Sequence, residues 1–349
     1  MIFEKFATIF QEIGVGFLAP LYEIGFVQGS RWFFAYLAFS ILFALLVLAW
    51  KFHDRRLGPL ANFKALFARL ADRDVFLHDS ARLDYRFAVV NHLFTVSILA
   101  YLFVWVNVAS TYFHAFFSHA LPVEGAGLTL GWFGSALIVF LYAFAYDTTN
   151  FFQHWLQHRI PILWEFHKVH HSAEVLTPVT AVRNHPVGQL LTATIGGIVY
   201  GSLNGLSFSL FSGQNAEYAI FGANFFALIY FTVGLYHLKH SHVWFTYPRF
   251  VREIIQSPSL HLIHHSNNPV HYDKNFGFVF TFWDRIFGTY YDPHEDEQHG
   301  LYLGISESEG QSEYTTVWQL YSTPFRRAWK YHLKPLLARD SNSSLDPAE

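Results

Sequence analysis

Fifteen of the 21 histidines fall between residues 151 and 300, and nine of them form four knots: His154/His158, His167/His170/His171, His240 and His261/His264/His265. No fold requires such a density of imidazole, whereas neutral imidazole is a ligand for iron, zinc, copper and nickel. In His154-Trp-Leu-Gln-His158 the two rings are four apart, which places both on one face of a helix. His167-Lys-Val-His170-His171 and His261-Leu-Ile-His264-His265 repeat an i, i+3, i+4 spacing, so each box predicts three imidazoles converging from one helical face. Eight or nine nitrogens exceed the four that a tetrahedral zinc takes, and the count implies two metals.

Isolated histidines read differently. His53, His78, His92, His114, His119 and His332 are expected to be ordinary polar side chains, and His294 and His299 to be solvated in an acidic stretch. His240, in His237-Leu-Lys-His240-Ser-His242, is expected to bind metal. His237, His242, His185, Asp273 and Asn275 form a second tier of site candidates; His185 and His271 are read as lining the site or facing substrate. Metal-bound imidazoles usually donate their other N–H to a carboxylate or carbonyl, and Asp147, Glu165, Glu174, Asp273 and Asp284 lie close enough in sequence to serve. Nothing points to a catalytic residue beyond the ligands.

The elements that carry these residues are oily. With 52% hydrophobic and 14% charged residues, the chain is too apolar for an ordinary soluble protein. Its apolar residues come in blocks at 32–50, 87–109, 129–146, 190–213 and 218–236, each about long enough to cross a hydrocarbon core of ~30 Å. The expected architecture is an all-α polytopic membrane bundle with a cytosolic, histidine-rich helical cap holding a two-metal site. The 3–28 block, broken by Glu4, Lys5, Glu12 and Glu23, reads as an interfacial or re-entrant segment. It lacks the basic start of a cleaved signal peptide.

Orientation follows from loop cations. Residues 51–86 carry eight Lys and Arg and residues 110–128 none, which puts the first loop in the cytosol. Arg159, Lys168 and Arg183 agree with this, so every histidine knot is expected on the cytosolic face of a bacterial inner membrane or the endoplasmic reticulum. Expected divisions are 1–86 (membrane segments and a basic loop), 87–292 (membrane and catalytic domain), 293–338 (a C-terminal helical segment) and 339–349 (a disordered tail). Trp318, Tyr321, Phe325 and Trp329, at roughly helical spacing, are expected to pack on the cap.

There is no cysteine, so disulfides and thiolate ligands are excluded. No basic stripe suggests nucleic acid. A metal transporter would hold its ligands near the membrane midplane, whereas these follow the apolar blocks. A zinc hydrolase would want about three ligands, an open position and a glutamate base.

Several motifs together resemble the fatty acid hydroxylase superfamily, which includes sterol desaturases, sterol C4-methyl oxidases, sphingolipid hydroxylases and alkylglycerol monooxygenase. They are His154/His158, Trp164-Glu-Phe-His167-Lys-Val-His170-His171-Ser, Asn184-His185-Pro186, His261-Leu-Ile-His264-His265-Ser, Asp273-Lys-Asn-Phe-Gly277 and Trp283-Asp-Arg-Ile-Phe-Gly-Thr289, over about residues 130–292. Phe276 stands where the family usually has tyrosine, and His240-Ser-His242 replaces a single histidine. The resemblance implies two iron ions, O2 as co-substrate, and hydroxylation of a C–H bond in a lipid or sterol-like substrate from the bilayer; desaturation by the same site is the alternative. Zinc could replace iron in such a nitrogen-rich site. No heme or flavin motif is present, so electrons are expected from a separate ferredoxin, cytochrome b5 or reductase.

Overall fold

The structure is a computed structural model that describes residues 34–54, 56–120, 132–210 and 228–337. It is helical, and the described residues contain no strand, only two isolated bridges, Ile255 to Phe280 and Ser266 to Leu303. The 3–28 and 218–236 blocks lie wholly or largely outside the described residues.

The main helices are α1 (Phe34–Phe52), α2 (Pro59–Leu70), α3 (Asp79–Ala120), α4 (Trp132–Arg159), α5 (Pro161–His171), α6 (Pro186–Leu210), α7 (Tyr236–Lys239), α8 (Pro258–His264), α9 (Phe282–Ile286) and α10 (Val317–Arg327). The stretch expected as a basic loop is thus partly helical, because Pro59 starts a helix at its first position. Two segments among the described residues, Ala35–Phe52 and Asp79–Ala120, are long and apolar enough to cross a membrane. Only 28% and 12% of their apolar windows are buried, whereas a soluble core helix would be mostly buried. Of the five expected crossings, two therefore have this character among the described residues; the described parts of the 129–146 and 190–213 blocks fall in α4 and α6.

Helices α3 and α6 form the most extensive pairing, and a row of glycines explains their closeness. Gly197, Gly201 and Gly205 recur every four residues on one face of α6. A Cβ on Gly201 would sit 2.5 Å from Ala109 Cβ and 2.6 Å from the Val106 carbonyl, and one on Gly205 would sit 2.6 Å from the His114 amide. Only backbone fits there.

Pro161 divides α4 from α5: it cannot continue the helix ending at Arg159, but its fixed φ suits the first position of the next. Helix α5 packs Val169 against Leu83, Phe87, Tyr314 and Leu320. Its C-terminus is held by Arg183, whose guanidinium donates to the Val169 carbonyl (2.8 Å), Ser172 Oγ (2.7 Å) and Asp84 of α3 (2.8 Å). Its middle is held by Glu165, which accepts from Lys168 (3.0 Å) and from Arg327 (2.9 Å) at the end of α10. Lys168 and Arg183, counted above as cations of the cytosolic side, are buried in ion pairs. The aromatic row of α10 also divides: Tyr321 packs on Phe87 (4.9 Å between ring centres), while Trp318 and Trp329 are 76% and 53% exposed.

Gly201→Ala is expected to lower thermal stability by about 1–3 kcal/mol, the usual cost of overpacking. Ile198→Ala, on a more exposed side of α6, should cost less; equal melting temperatures for the two variants in detergent would contradict the close helix contact.

Candidate metal centre

All nine boxed histidines come together, in two groups. His154, His158, His167, His171 and His264 form one; His170, His240, His261 and His265 form the other; within each group the candidate ligand nitrogens lie within 4.8 Å of one another. The boxes do not each serve one group. At 100° per residue, positions i and i+4 differ by 40°, while i+3 lies 100° from i+4. His167 and His171 therefore turn to the first group and His170 to the second. In α8 and the residue after it, His261 and His265 join the second group and His264 the first. The expectation of one converging face per three-histidine box is corrected accordingly: each of those two boxes bridges both groups, while His154 and His158 serve the first alone. The groups abut, with His171 and His265 stacked at 4.6 Å.

The outward nitrogens of the first group are held. Nδ1–H of His154 donates to the Phe276 carbonyl (3.2 Å) and that of His264 to the Lys274 carbonyl (2.7 Å); His158 Nδ1 lies 3.5 Å from Asp273. In each case the neutral tautomer that donates from Nδ1 leaves the Nε2 lone pair directed inward. Asp273 and Asn275 flank Lys274 with φ of 59° and 57°, left-handed conformations that Asp and Asn tolerate better than most residues. Asp284 completes the support, accepting from the Phe276 and Gly277 amides (both 2.8 Å) and the Thr289 hydroxyl (2.6 Å).

The inward nitrogens lack protein partners suited to them. His167 Nε2 and His264 Nε2 are buried without a hydrogen bond. In the second group Nε2 atoms face Nε2 atoms in a chain: His265 to His261 (3.2 Å), His261 to His240 (2.9 Å), His240 to His170 (3.2 Å). Ligand nitrogens at 2.0–2.1 Å from a common ion would stand about 2.9–3.4 Å apart, so the spacing suits a cation. No carboxylate belongs to either group. Burial, reinforced by neighbouring histidines, pushes all nine rings toward the neutral form, His154 down to about 4 and His170 to about 3.

The second tier lies outside both groups. His237 Nδ1 meets Ser40 Oγ (3.2 Å), and His242 Nε2–H donates to the Arg69 carbonyl (2.9 Å). His185 donates to the Tyr321 carbonyl (3.2 Å) and accepts from the Val187 amide (3.1 Å), at the start of α6. Asn275 is a backbone organiser: its Nδ2 donates to the Leu260 and Tyr291 carbonyls (3.2 and 3.0 Å) and its Oδ1 accepts from the Tyr291 amide (2.8 Å). Of the five carboxylates considered, only Asp273 reaches a grouped histidine; Asp147 instead accepts from the Val279 and Phe280 amides, and Glu174 from Gln311. Sequence reasoning missed the Phe276 and Lys274 carbonyls, which no side-chain motif announces, and the anchoring roles of Arg183 and Lys239. Lys239, buried beside His240, donates to the Phe278 carbonyl and Gln256 Oε1 (3.3 Å for the latter).

Residues 139–289 match the family model described as fatty acid hydroxylase. The chain is 27% identical over 235 residues to alkylglycerol monooxygenase of Danio rerio, covering 65% of this chain and 42% of that protein. It is 34% identical over 145 residues to sphinganine C4-monooxygenase 1 of Arabidopsis thaliana, covering 41% and 50%. It is 29% identical over 195 residues to sphingolipid C4-hydroxylase sur2 of Schizosaccharomyces pombe, covering 52% and 59%. The chain thus spans about half the length of these relatives. No solved structure matches.

Two outcomes are expected. Because His154 is depressed from 6.5 to about 4, the unfolded chain takes up protons first as pH falls. The metal-free protein should therefore melt at progressively lower temperature from about pH 6.5 down to pH 4, and a flat profile would contradict the burial. Asp284→Ala, which strands two buried amides, should cost roughly 2–4 kcal/mol and lower bound metal, read by thermal melting and elemental analysis.

Proposed function

We propose that this chain is a membrane di-iron oxygenase of the fatty acid hydroxylase superfamily that hydroxylates a C–H bond of a lipid, a reading supported by the match of residues 139–289 to that family's model and by its relatives. The observation that carries this reading is the convergence of nine imidazoles, seven of them on fully buried residues, into two adjacent groups without a carboxylate. Five nitrogens in one group and four in the other suit two irons with positions left for a further ligand. His154, His158, His167, His171 and His264 would hold one iron, and His170, His240, His261 and His265 the other. Bound there, the two irons would supply the reduced centre at which O2 is activated.

The residues of the chain do the rest. The carbonyls of Phe276 and Lys274 fix which nitrogen of His154 and His264 faces inward. Burial keeps the rings neutral and so able to bind a cation at neutral pH. Phe276, fully buried, packs its ring against His154, His158 and His264, an apolar wall that helps to exclude water. The overall balance is RH + O2 + 2 electrons + 2 protons giving ROH + H2O, with the electrons from a separate donor such as a ferredoxin, cytochrome b5 or reductase.

The relatives are named for lipid monooxygenation and hydroxylation, which favours hydroxylation over desaturation and makes alkylglycerols and sphingoid bases the first substrates to test. The exposed apolar α1 and α3 support an integral membrane protein drawing its substrate from the bilayer. The cation-rich 51–86 segment supports a cytosolic placement of the histidines.

Protein loaded anaerobically with ferrous iron is expected to hold about two irons per chain, given two groups of ligands. With a chemical reductant and labelled O2 it should transfer one oxygen atom to a lipid product, detected by mass spectrometry. His264→Ala and His170→Ala should abolish turnover and lower bound iron, whereas His242→Ala should do neither; full iron content and activity in His264→Ala would sink the assignment.

A further inference from the structure

Helix α10 has two unlike sides. Leu320, Thr323, Arg327 and, just past its end, Ala328 are buried, and through the Arg327–Glu165 bond this side grips α5, the carrier of His167, His170 and His171. The other side shows Trp318, Phe325 and Trp329, spaced seven and four apart and so on one face, exposed at 76%, 55% and 53%. Beyond the π-helical turn Ala328–Leu333 the apolar exposure continues with Leu336 at 58%. Scattered exposed apolar residues are ordinary, but an aromatic row along one helix is not. Lys330 and Lys334, both exposed, follow beside it.

The depth of this row can be read against α3. The last ionisable Asp, Glu, Lys or Arg on α3 is Arg86, and none occurs from 87 to 120. Tyr321 packs on Phe87 (4.9 Å) and Phe94 (5.5 Å), and its hydroxyl donates to Asn91 (3.3 Å). Helix α10 therefore crosses α3 within the first eight residues of the uncharged run, about 12 Å of helix at 1.5 Å per residue. That is the level at which a membrane-crossing α3 would leave the headgroups for the hydrocarbon. Tryptophan and phenylalanine with flanking lysine suit this layer, because ring bodies sit among the upper acyl chains while cations reach phosphates.

We propose that the Trp318/Phe325/Trp329 face of α10 and the π-helical turn after it lies in the phospholipid headgroup layer and seats the histidine cap on the bilayer surface. This rests on reading α3 as a membrane span. Helix α2 has a similar exposed row, Leu60, Phe63 and Phe67, just after α1, consistent with a second contact at the same level.

The natural absence of cysteine permits a direct test. Single variants Trp318→Cys, Trp329→Cys, Ser312→Cys and Phe103→Cys would each carry one nitroxide in full-length protein reconstituted into phosphatidylcholine and phosphatidylglycerol bilayers. Accessibility to O2 and to a water-soluble nickel chelate would then be measured. Labels at 318 and 329 are expected to be several-fold more shielded from nickel than the exposed 312, and shallower than 103 in α3. If 318 and 329 match 312 while 103 reports hydrocarbon, the interfacial placement is overturned and the membrane span stands. If 103 also matches 312, the span itself fails and the placement with it.

Discussion

The centre depends on one constraint: nine imidazoles are buried together, and each neutral ring has one nitrogen that must be told where its proton goes. Burying polar groups without partners is costly, so the outward nitrogens dictate the surrounding backbone. In the first group the carbonyls of Lys274 and Phe276 meet that need. Those carbonyls are aimed by a segment with left-handed Asp273 and Asn275, and the segment is pinned by Asp284, Thr289 and the side chain of Asn275 itself. A run of loop with no ligand of its own is thereby as necessary as the histidines. The second group is held differently: Nδ1 of His240, His261 and His265 is buried without a hydrogen bond, so their orientation rests on packing and on the elements that carry them.

Helical phase then explains the division of labour. A box of i, i+3 and i+4 spans about 100° of helix surface between its last two members, too wide for one cation and suited to two neighbouring ones. Helix α5 sends two rings to the first group and one to the second, and the α8 segment does the reverse. Two short helices facing each other across the centre thus share both groups, with His154 and His158 completing one and His240 the other. Each helix is tied to two sites, so the spacing between the groups is set by helix geometry rather than by loops.

Much of this was legible beforehand because histidine number and spacing are local facts. Eight of the nine residues that converge are those singled out by spacing, and His240 by its place in the chain. What was not legible depends on tertiary partners. Carbonyl acceptors carry no side-chain signature. His185 and Asn275 look like site residues by motif, but their polar atoms are consumed by backbone groups. Lys168 and Arg183 count as loop cations in a sequence, whereas ion pairs with Glu165 and Asp84 take them into the interior. The glycine row on α6 takes its meaning only from the distances to Val106, Ala109 and His114, which show which helix it admits.

The buried ion pairs around α5 are better understood as setting register than as supplying stability. Desolvation offsets most of the attraction in such pairs, and apolar substitutes could fill the same space. A pair does, however, fix rotation in a way that apolar packing does not. A rotation of α5 by about 100° would exchange the groups to which His170 and His171 point. Lys168 and Glu165 lie on the same short helix as His167, His170 and His171, and both are held from outside, by Glu309 at 2.6 Å and by Arg327 at 2.9 Å. Arg183 grips the last turn through the Val169 carbonyl and Ser172 while tied to Asp84 on α3. Rotating the helix would strand a buried charge at both ends, at a cost of several kcal/mol. The ligand phase is therefore locked by charges that never touch the centre.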